Sequence, residues 1–443
     1  MSSAKTTITA PNGRQITINT GLFISNEWVA PVKEQEITSI NPATEEAIVS
    51  VSAAGPEDVD KAVSAARAAF EGSWADVVGT ERGRLLMKLA DIVEAEMEPL
   101  ATLVTMENGK PYSQATGDVE EMCGTGRQKF TYTLREPIGV CGQIIPWNYP
   151  LGMAGWKLDP CLACGNTTVL KPAEQTPLSI LYFADLVVKA GFPPGAINIL
   201  NGYERGTGSA IVDHPGIDKI SFTGSTATGR QIMKSAAVNL KNITLETGGK
   251  SPIIIFDDAD IKHAIKWTHY GIMGNMGQIC TANIPHFHPR EDLRRLYEAF
   301  LGCIEKISIA SSNKPNGRGY FIEPTVVGDV KSSMKVYKEE IFGPFAAVVK
   351  FSSEQEVIKA ANDTEYGLAA ALFTTDVTRA VRISQRLHAG NVWINSNNNS
   401  DFQVPFGGMK QSGIGRELGE AGLEAYSTLK AVHLNLVLAN PDI

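Results

Sequence analysis

The stretch 139–256 opens GVCGQIIPWNYP (139–150) and continues with TTVLKP (167–172), AINIL (196–200), KISFTG (219–224) and PIIIF (252–256). These apolar runs are the length of strands. Between them lie longer segments with helical periodicity, such as LSILYFADLVVKA (178–190) and TATGRQIMKSAAV (226–238). Strands that alternate with helices of this length predict β-α-β units and a parallel sheet, and such sheets bind ligands beyond the carboxyl ends of their strands. Asn148, in IIPWNYP, stands at one such end.

Working outward, EDVDKAVSAARAAF after Pro56 sets Val59, Val63, Ala66 and Phe70 on one face, and a proline in the first turn followed by acids predicts a helix. A second helical pattern runs from about Glu81 to Leu103, with Leu85, Leu86, Leu89 and Ile92 at 3.6-residue spacing. Both read as helices packed on a sheet. Downstream, residues 286–318 are less regular, with a charged helix around REDLRRLYEAFLGCIEKI and then the polar run SSNKPNGRG. A second α/β region follows, from SSEQEVIKAANDTEYGLAAALFTT to GNVWIN. Alternation near 429–437 predicts a closing strand, read as an edge that seeks a partner.

The 443 residues have room for two or three domains at roughly 150 residues each. Hydrophobic residues at 43% and charged residues at 20% are ordinary for a globular protein, and no apolar run has the length of a spanning helix. A net charge of -8 repels a phosphate backbone, which argues against nucleic acid as a partner. The opening MSSAKTTITAPNGRQITI has neither a secretory nor an organelle-presequence pattern, so a cytoplasmic location is expected. Six scattered cysteines make no disulfide framework and are expected to be free thiols. Cys161 and Cys164 form a C-x-x-C without a second pair at metal spacing and read as packing residues, and no metal site is expected.

Two motifs are set aside. TLETGGKS resembles a phosphate loop but has Thr244 where the first glycine is needed, and GIGRELG (413–419) resembles a dinucleotide fingerprint with its last spacing one residue too long. The glycines of the second read as turn residues. Cys280, in NMGQICTAN, lies among Gly and small polar residues, where a thiol is approachable. Glu246, in LETGGKSP, follows a strand-like ITL and precedes two glycines, a position from which a carboxylate can face a cleft. Read singly, each has an ordinary structural explanation.

Taken together they do not, because PWNYP (146–150), LKPAEQTP (170–177), FTGSTATG (222–229), LETGGKSP (245–252), GQIC (277–280), KEEIFGP (338–344) and PFGGMKQSG (405–413) resemble the aldehyde dehydrogenase superfamily in order and over nearly the whole chain. The resemblance implies an α/β fold with a Rossmann-like NAD-binding domain, an α/β catalytic domain and a small β oligomerisation arm. The expected division is 1–124 and 139–249 for the NAD-binding domain, 125–138 for a shortened arm, 250–421 for the catalytic domain and 422–443 for a C-terminal oligomerisation strand. Similarity to the hydrolytic, non-phosphorylating members implies oxidation of an aldehyde to a free carboxylic acid with NAD, in a homodimer or homotetramer.

By the same resemblance Cys280 is the nucleophile, Glu246 the base that activates water and Asn148 an oxyanion donor, with an acyl thioester as intermediate. The thiol would need to become more anionic to attack well at neutral pH, helped by backbone N–H groups and the cofactor's charge. Cofactor contacts fall on Ile144, Pro146, Trp147, Lys171, Glu174, Gly224, Ser225, Glu340 and Phe342. A carboxylate at Glu174 accepts ribose hydroxyls and repels a 2'-phosphate, favouring NAD over NADP. The substrate tunnel would be lined by Tyr149, Met153, Trp156, Ile279, Thr281 and Phe406, suited to aliphatic or aromatic aldehydes. Against the family pattern, stretches look absent between VEEMCGT and GRQKFTYT and after EKISIA, and the NIPHF that follows Cys280 is unusual. Those gaps keep open a second reading, a non-catalytic relative that binds nucleotide or a partner through the retained fold.

Overall fold

The computed structural model describes residues 5–74, 77–123, 129–287 and 322–435. Two compact units divide the chain, one running to Thr131 and one spanning Tyr132–Val432. In the first, three antiparallel strand pairs precede helices at Pro56–Glu71, Gly79–Ala95, Met97–Asn108 and Tyr112–Cys123. Ile8 and Met106 anchor one small core, Ala101, Ala115 and Val119 another. The single helix expected from Glu81 to Leu103 is interrupted at Glu96, because Pro99 has no N–H to donate to the Ala95 carbonyl.

The second unit holds two open α/β sheets. Strands β1 (Val140–Ile144), β2 (Thr167–Lys171), β3 (Ile197–Ile199), β4 (Lys219–Thr223) and β5 (Asn242–Glu246) run parallel, in the order β3-β2-β1-β4-β5, with Gly413–Ile414 antiparallel beyond β5. The helices between them are α1 (Pro150–Ala163), α2 (Leu178–Lys189) and α3 (Thr226–Ala236). β4 is buried along its whole length, and parallel strands covered on both faces read as continuous apolar runs. On one face Ile220, Phe222 and Leu245 meet Ile232 of α3, while Leu170 joins Leu158 of α1 and Ile180 of α2 in a separate cluster. Each such fully buried side chain contributes about 1.5–3 kcal/mol. The strand order reverses between β1 and β4, the switch point where doubly wound sheets leave a crevice.

The second sheet is wholly parallel: β6 (Ser251–Ile255), β7 (Asn283–Phe287), β8 (Val349–Lys350), β9 (Ala369–Phe373) and β10 (Asn391–Ile394), in the order β8-β7-β6-β9-β10. Alternation along β6 sends Ile253 and Ile255 to one face, against α4 (Ile261–Met273), and Ile254 to the other, against helices Glu354–Asn362 and Val377–Ser384. The closing strand, Ser427–Asn435, pairs with Lys129–Pro137. It therefore finds a partner within its own chain. The charged helix and polar run expected in 286–318, and both apparent gaps, lie almost entirely outside the described residues.

Candidate active site

β5 ends at Glu246 and β1 leads into the Pro146–Tyr149 turn, so two of the expected groups arrive from carboxyl ends of the first sheet on either side of β4. The third comes from the segment between α4 and β7. There Asn275, Met276 and Gly277 all have positive φ, and a Cβ on Gly277 would lie 2.0 Å from the Gly343 carbonyl oxygen. Glycine is required at that position for both reasons. The tight left-handed turn brings Cys280 over Glu246, and the Cys280 thiol donates to Glu246 Oε1 at 3.2 Å.

Glu246 is 2% exposed. Burial, reinforced by the charge of nearby Glu417, pushes its carboxyl up to about 7, against opposing effects of Lys157 and of the Cys280 hydrogen bond. The Cys280 thiol is likewise pushed up, by burial of the sulfur and then by Glu246. Without a ligand, then, the sulfur holds its proton and Glu246 is the acceptor beside it. The thiol depression that the chemistry requires is not built into the protein alone.

Asn148 donates through Nδ2 to the Gln278 carbonyl at 3.0 Å, and Asn275 Nδ2 donates to the Asn148 carbonyl at 3.0 Å. The first bond ties the amide two residues upstream of Cys280 and leaves the second Nδ2 hydrogen for another acceptor. Around these groups lies a cavity of about 610 Å³. All six expected tunnel residues, Tyr149, Met153, Trp156, Ile279, Thr281 and Phe406, line it, and the Trp156 and Phe406 rings meet edge-on at 4.9 Å. Tyr270, Asn398 and Ser400 also line it and were not anticipated. Asn398 and Ser400, in an irregular loop, give no periodic signal, and Tyr270 on α4 reads alone as one more residue of a helix.

A second cavity of about 380 Å³ opens at the switch point. Ile144, Pro146, Trp147, Lys171, Glu174, Gly224 and Ser225 line it, and Pro146, Trp147, Gly224 and Ser225 also line the first, so the two share a wall. The Lys171 ammonium lies 3.6 Å from the Glu174 carboxylate, and the Ser225 hydroxyl caps α3 by accepting from Thr228 N at 3.1 Å. Glu340 and Phe342 stand on the first cavity's wall, with Phe342 edge-on to Trp147 at 5.4 Å. Glu340 Oε1 accepts from Gly249 N at 3.0 Å, and a Cβ on Gly248 would lie 2.3 Å from the Glu340 carboxylate. A cleft with a carboxylate and an ammonium at one end, a capped helix N-terminus in the middle and an aromatic-walled chamber beyond has the donor set of a dinucleotide site.

Sequence reading missed a buried ion pair. Lys157 of α1 pairs with Glu417, and both are almost wholly inaccessible. Lys157 Nζ also donates to Thr223 Oγ1 at 2.8 Å, and Thr223 Oγ1 donates to Glu246 Oε2 at 3.2 Å. A continuous hydrogen-bonded chain thus runs inward from Glu246. The available signal was that Lys157 is the one cation in PLGMAGWKLDPCLA, a helix otherwise made to be buried.

Parallel switch-point geometry, a dinucleotide cleft and a cysteine–carboxylate pair in an adjoining chamber define a nucleotide-linked oxidoreductase of the covalent type. The model of the aldehyde dehydrogenase family matches residues 28–316 and 304–432. An aldehyde dehydrogenase of Aspergillus niger is 46% identical over 98% of this chain and 99% of its own, and a Saccharomyces cerevisiae enzyme named for NAD(P)+ is 44% identical over 95% and 96%. The NAD+ complex of the Bacillus cereus enzyme superposes with a TM-score of 0.66 at 41% identity, covering 94% of this chain and 97% of that one. This chain belongs to the aldehyde dehydrogenase family. The Aspergillus alignment spans 492 positions against a chain of 443, so that relative carries residues absent here, and the two matched segments of the family overlap at 304–316, where the second gap is read.

Proposed function

We propose that this chain oxidises an apolar aldehyde to the free acid with NAD, with Cys280 as the nucleophile, Glu246 as the general base and Asn148 as an oxyanion donor. One observation carries the assignment: the Cys280 thiol sits in hydrogen-bond contact with a buried carboxylate in a cavity that shares a wall with the dinucleotide cleft. Bound NAD supplies the hydride acceptor. Lys171 and Glu174 would hold its adenosine end, Ile144, Pro146, Trp147, Gly224 and Ser225 its middle, and Glu340 and Phe342 its reactive end.

As carbon approaches the sulfur, the thiol proton passes to Glu246, which at 3.2 Å needs no intermediary. The tetrahedral thiohemiacetal oxygen accepts from the free Asn148 Nδ2 hydrogen and from the Cys280 backbone N–H. After hydride leaves, the sulfur is acylated and has no proton, so the Cys280–Glu246 bond is gone, and once Glu246 has released the thiol's proton to solvent through the cavity its Oε1 is free to accept from water. Glu246 takes that proton as water attacks the thioester. The Thr223–Lys157–Glu417 chain holds the carboxylate in place meanwhile.

Glu246→Gln removes the proton acceptor of both halves but weighs more on the second, since a thiol can also lose its proton to solvent whereas water attack on the thioester needs a base. Rapid mixing of that variant with NAD and aldehyde should give about one NADH per site in a burst and a steady state slower than wild type by roughly 10²–10⁴-fold. A steady state equal to wild type would remove Glu246 from the base role.

The paired strands Lys129–Pro137 and Ser427–Asn435, with exposed Tyr132, Leu134 and Leu429, support assembly into a homodimer or homotetramer, which sedimentation of the purified chain checks. The four described cysteines, Cys141, Cys161, Cys164 and Cys280, are free thiols, in keeping with a reducing, cytosolic setting. Among the described residues no helix is long and apolar enough to cross a membrane.

A further inference from the structure

The run NSNNNS (395–400) follows β10 and reaches the chamber, which Asn398 and Ser400 line. Its asparagines fasten it in place. Asn395 exchanges two hydrogen bonds with the backbone of Thr374, just past β9: its Oδ1 accepts from Thr374 N and its Nδ2 donates to the Thr374 carbonyl, both at 3.0 Å. Asn397 is wholly buried against α4, where a Cβ on Gly271 would collide with its side chain. Asn398 Oδ1 accepts from Thr281 Oγ1 at 2.6 Å, and Asn398 Nδ2 donates to the Gly271 carbonyl at 3.4 Å. Asn395 and Asn398 both sit at φ 55°, in the left-handed region that asparagine enters more readily than most residues.

Thr281 is 3% exposed and directly follows the nucleophile. Ala282 N donates to the Ile279 carbonyl at 2.9 Å, so Cys280 and Thr281 are the two central residues of a turn. The Cys280 carbonyl packs against Gly249, where a Cβ would lie 2.5 Å from its oxygen. One corner of the turn thus presses on the segment that follows Glu246, and the other is tethered to the asparagine loop. A cysteine side chain has three staggered positions, and which of them faces Glu246 depends on how the turn that carries it is held.

We propose that Asn398 is a positioning residue for the nucleophile: through its bond to Thr281 it holds the turn at the angle that keeps the Cys280 sulfur beside Glu246. This role rests on Cys280 and Glu246 acting as nucleophile and base. Neither Asn398 nor Thr281 exchanges a proton with the reacting atoms, and each acts through the backbone of the turn. Both also line the chamber. A role confined to lining would be felt in the KM for aldehyde, whereas positioning is felt in the step in which sulfur attacks.

The test compares full-length wild type, Thr281→Val, Thr281→Ser, Asn398→Ala and the Thr281→Val/Asn398→Ala double variant, each with and without Glu246→Gln. Alkylation of Cys280 by iodoacetamide, followed across pH by peptide mass, needs neither NAD nor aldehyde and reads the contact between sulfur and carboxylate. Glu246→Gln should lower the midpoint of alkylation by about one pH unit, because a carboxylate beside the sulfur opposes the thiolate. Thr281→Val and Asn398→Ala should each lower it by a similar amount, with no further drop when they are combined or when Glu246→Gln is added, and Thr281→Ser should keep the wild-type midpoint. In the NADH burst with saturating aldehyde, Thr281→Val and Asn398→Ala should each be slower by roughly tenfold or more, with KM for NAD unchanged, since neither residue lines the second cavity. Equal midpoints in wild type and these two variants would overturn the proposal, as would a further drop on adding Glu246→Gln or a loss confined to the KM for aldehyde. A wild type without a burst whose variants still show the midpoint shifts would uphold the positioning and remove the oxidation instead.

Discussion

Glu246→Gln tests the electrostatics of the site independently of turnover. In the folded protein the Glu246 carboxyl is pushed from an ordinary 4.5 up to about 7, chiefly by burial. Between those pH values the native state keeps a proton that the unfolded chain has lost, so wild-type stability falls as pH rises and the loss is complete once pH passes about 7. At ~1.4 kcal/mol per pH unit the whole effect is about 3 kcal/mol, of which about 2 kcal/mol falls between pH 5.5 and 8.5. Glutamine has nothing to titrate and nearly the same shape. Urea unfolding followed by tryptophan fluorescence at those two pH values should show the variant gaining on wild type by about 2 kcal/mol at the higher pH. Parallel pH dependence of the two proteins would refute the buried, proton-retaining carboxyl. The same carboxyl predicts a rate for thioester hydrolysis that falls about tenfold per pH unit below 7, since only the ionised form accepts a proton.

Two further substitutions address the oxyanion and the cofactor. Asn148→Ala should lower kcat by roughly 10²–10³-fold with little change in KM for NAD, measured by steady-state NADH formation, because one of two oxyanion donors is lost while the second cavity keeps its lining. Glu174→Gln should raise kcat/KM with NADP at least tenfold relative to NAD by removing a carboxylate that repels a 2'-phosphate; an unchanged ratio would locate cofactor choice elsewhere.

The first sheet was legible from sequence because its central strands are covered on both faces. KISFT is buried at every position, with Ile220 and Phe222 on one face and Lys219, Ser221 and Thr223 on the other, PIIIF of the second sheet is buried and apolar throughout, and the helices of the first sheet carry 3.6-residue periodicity. Cys280, Glu246 and Asn148 were legible only as members of a motif set, and the structure brings all three to one chamber. What stayed hidden depends on long-range proximity. Lys157 and Glu417 are 260 residues apart and each reads alone as a solvated charge, while their burial follows from the strand order that places α1 against the Gly413–Glu417 turn. Of the glycines read as turn residues in 413–419, Gly415 sits at a bend with positive φ, whereas Gly413 lies in the strand paired with β5 and Gly419 opens the helix Gly419–Ala425. In the first unit the pattern of Val59, Val63 and Phe70 after Pro56 foretold the helix Pro56–Glu71, since a proline in the first turn and a 3.6-residue apolar period are local signals.

Everything above rests on Cys280 as the nucleophile of an NAD-linked oxidation, and NADH formation tests it most directly. Purified wild type and Cys280→Ala, checked for equal folding by circular dichroism, are given NAD and a panel of short, long and aromatic aldehydes. Wild type should reduce NAD with at least one apolar aldehyde and release the free acid, and Cys280→Ala should show neither a burst nor a steady state. Comparable turnover by the alanine variant, or none by folded wild type across the panel, would contradict the account.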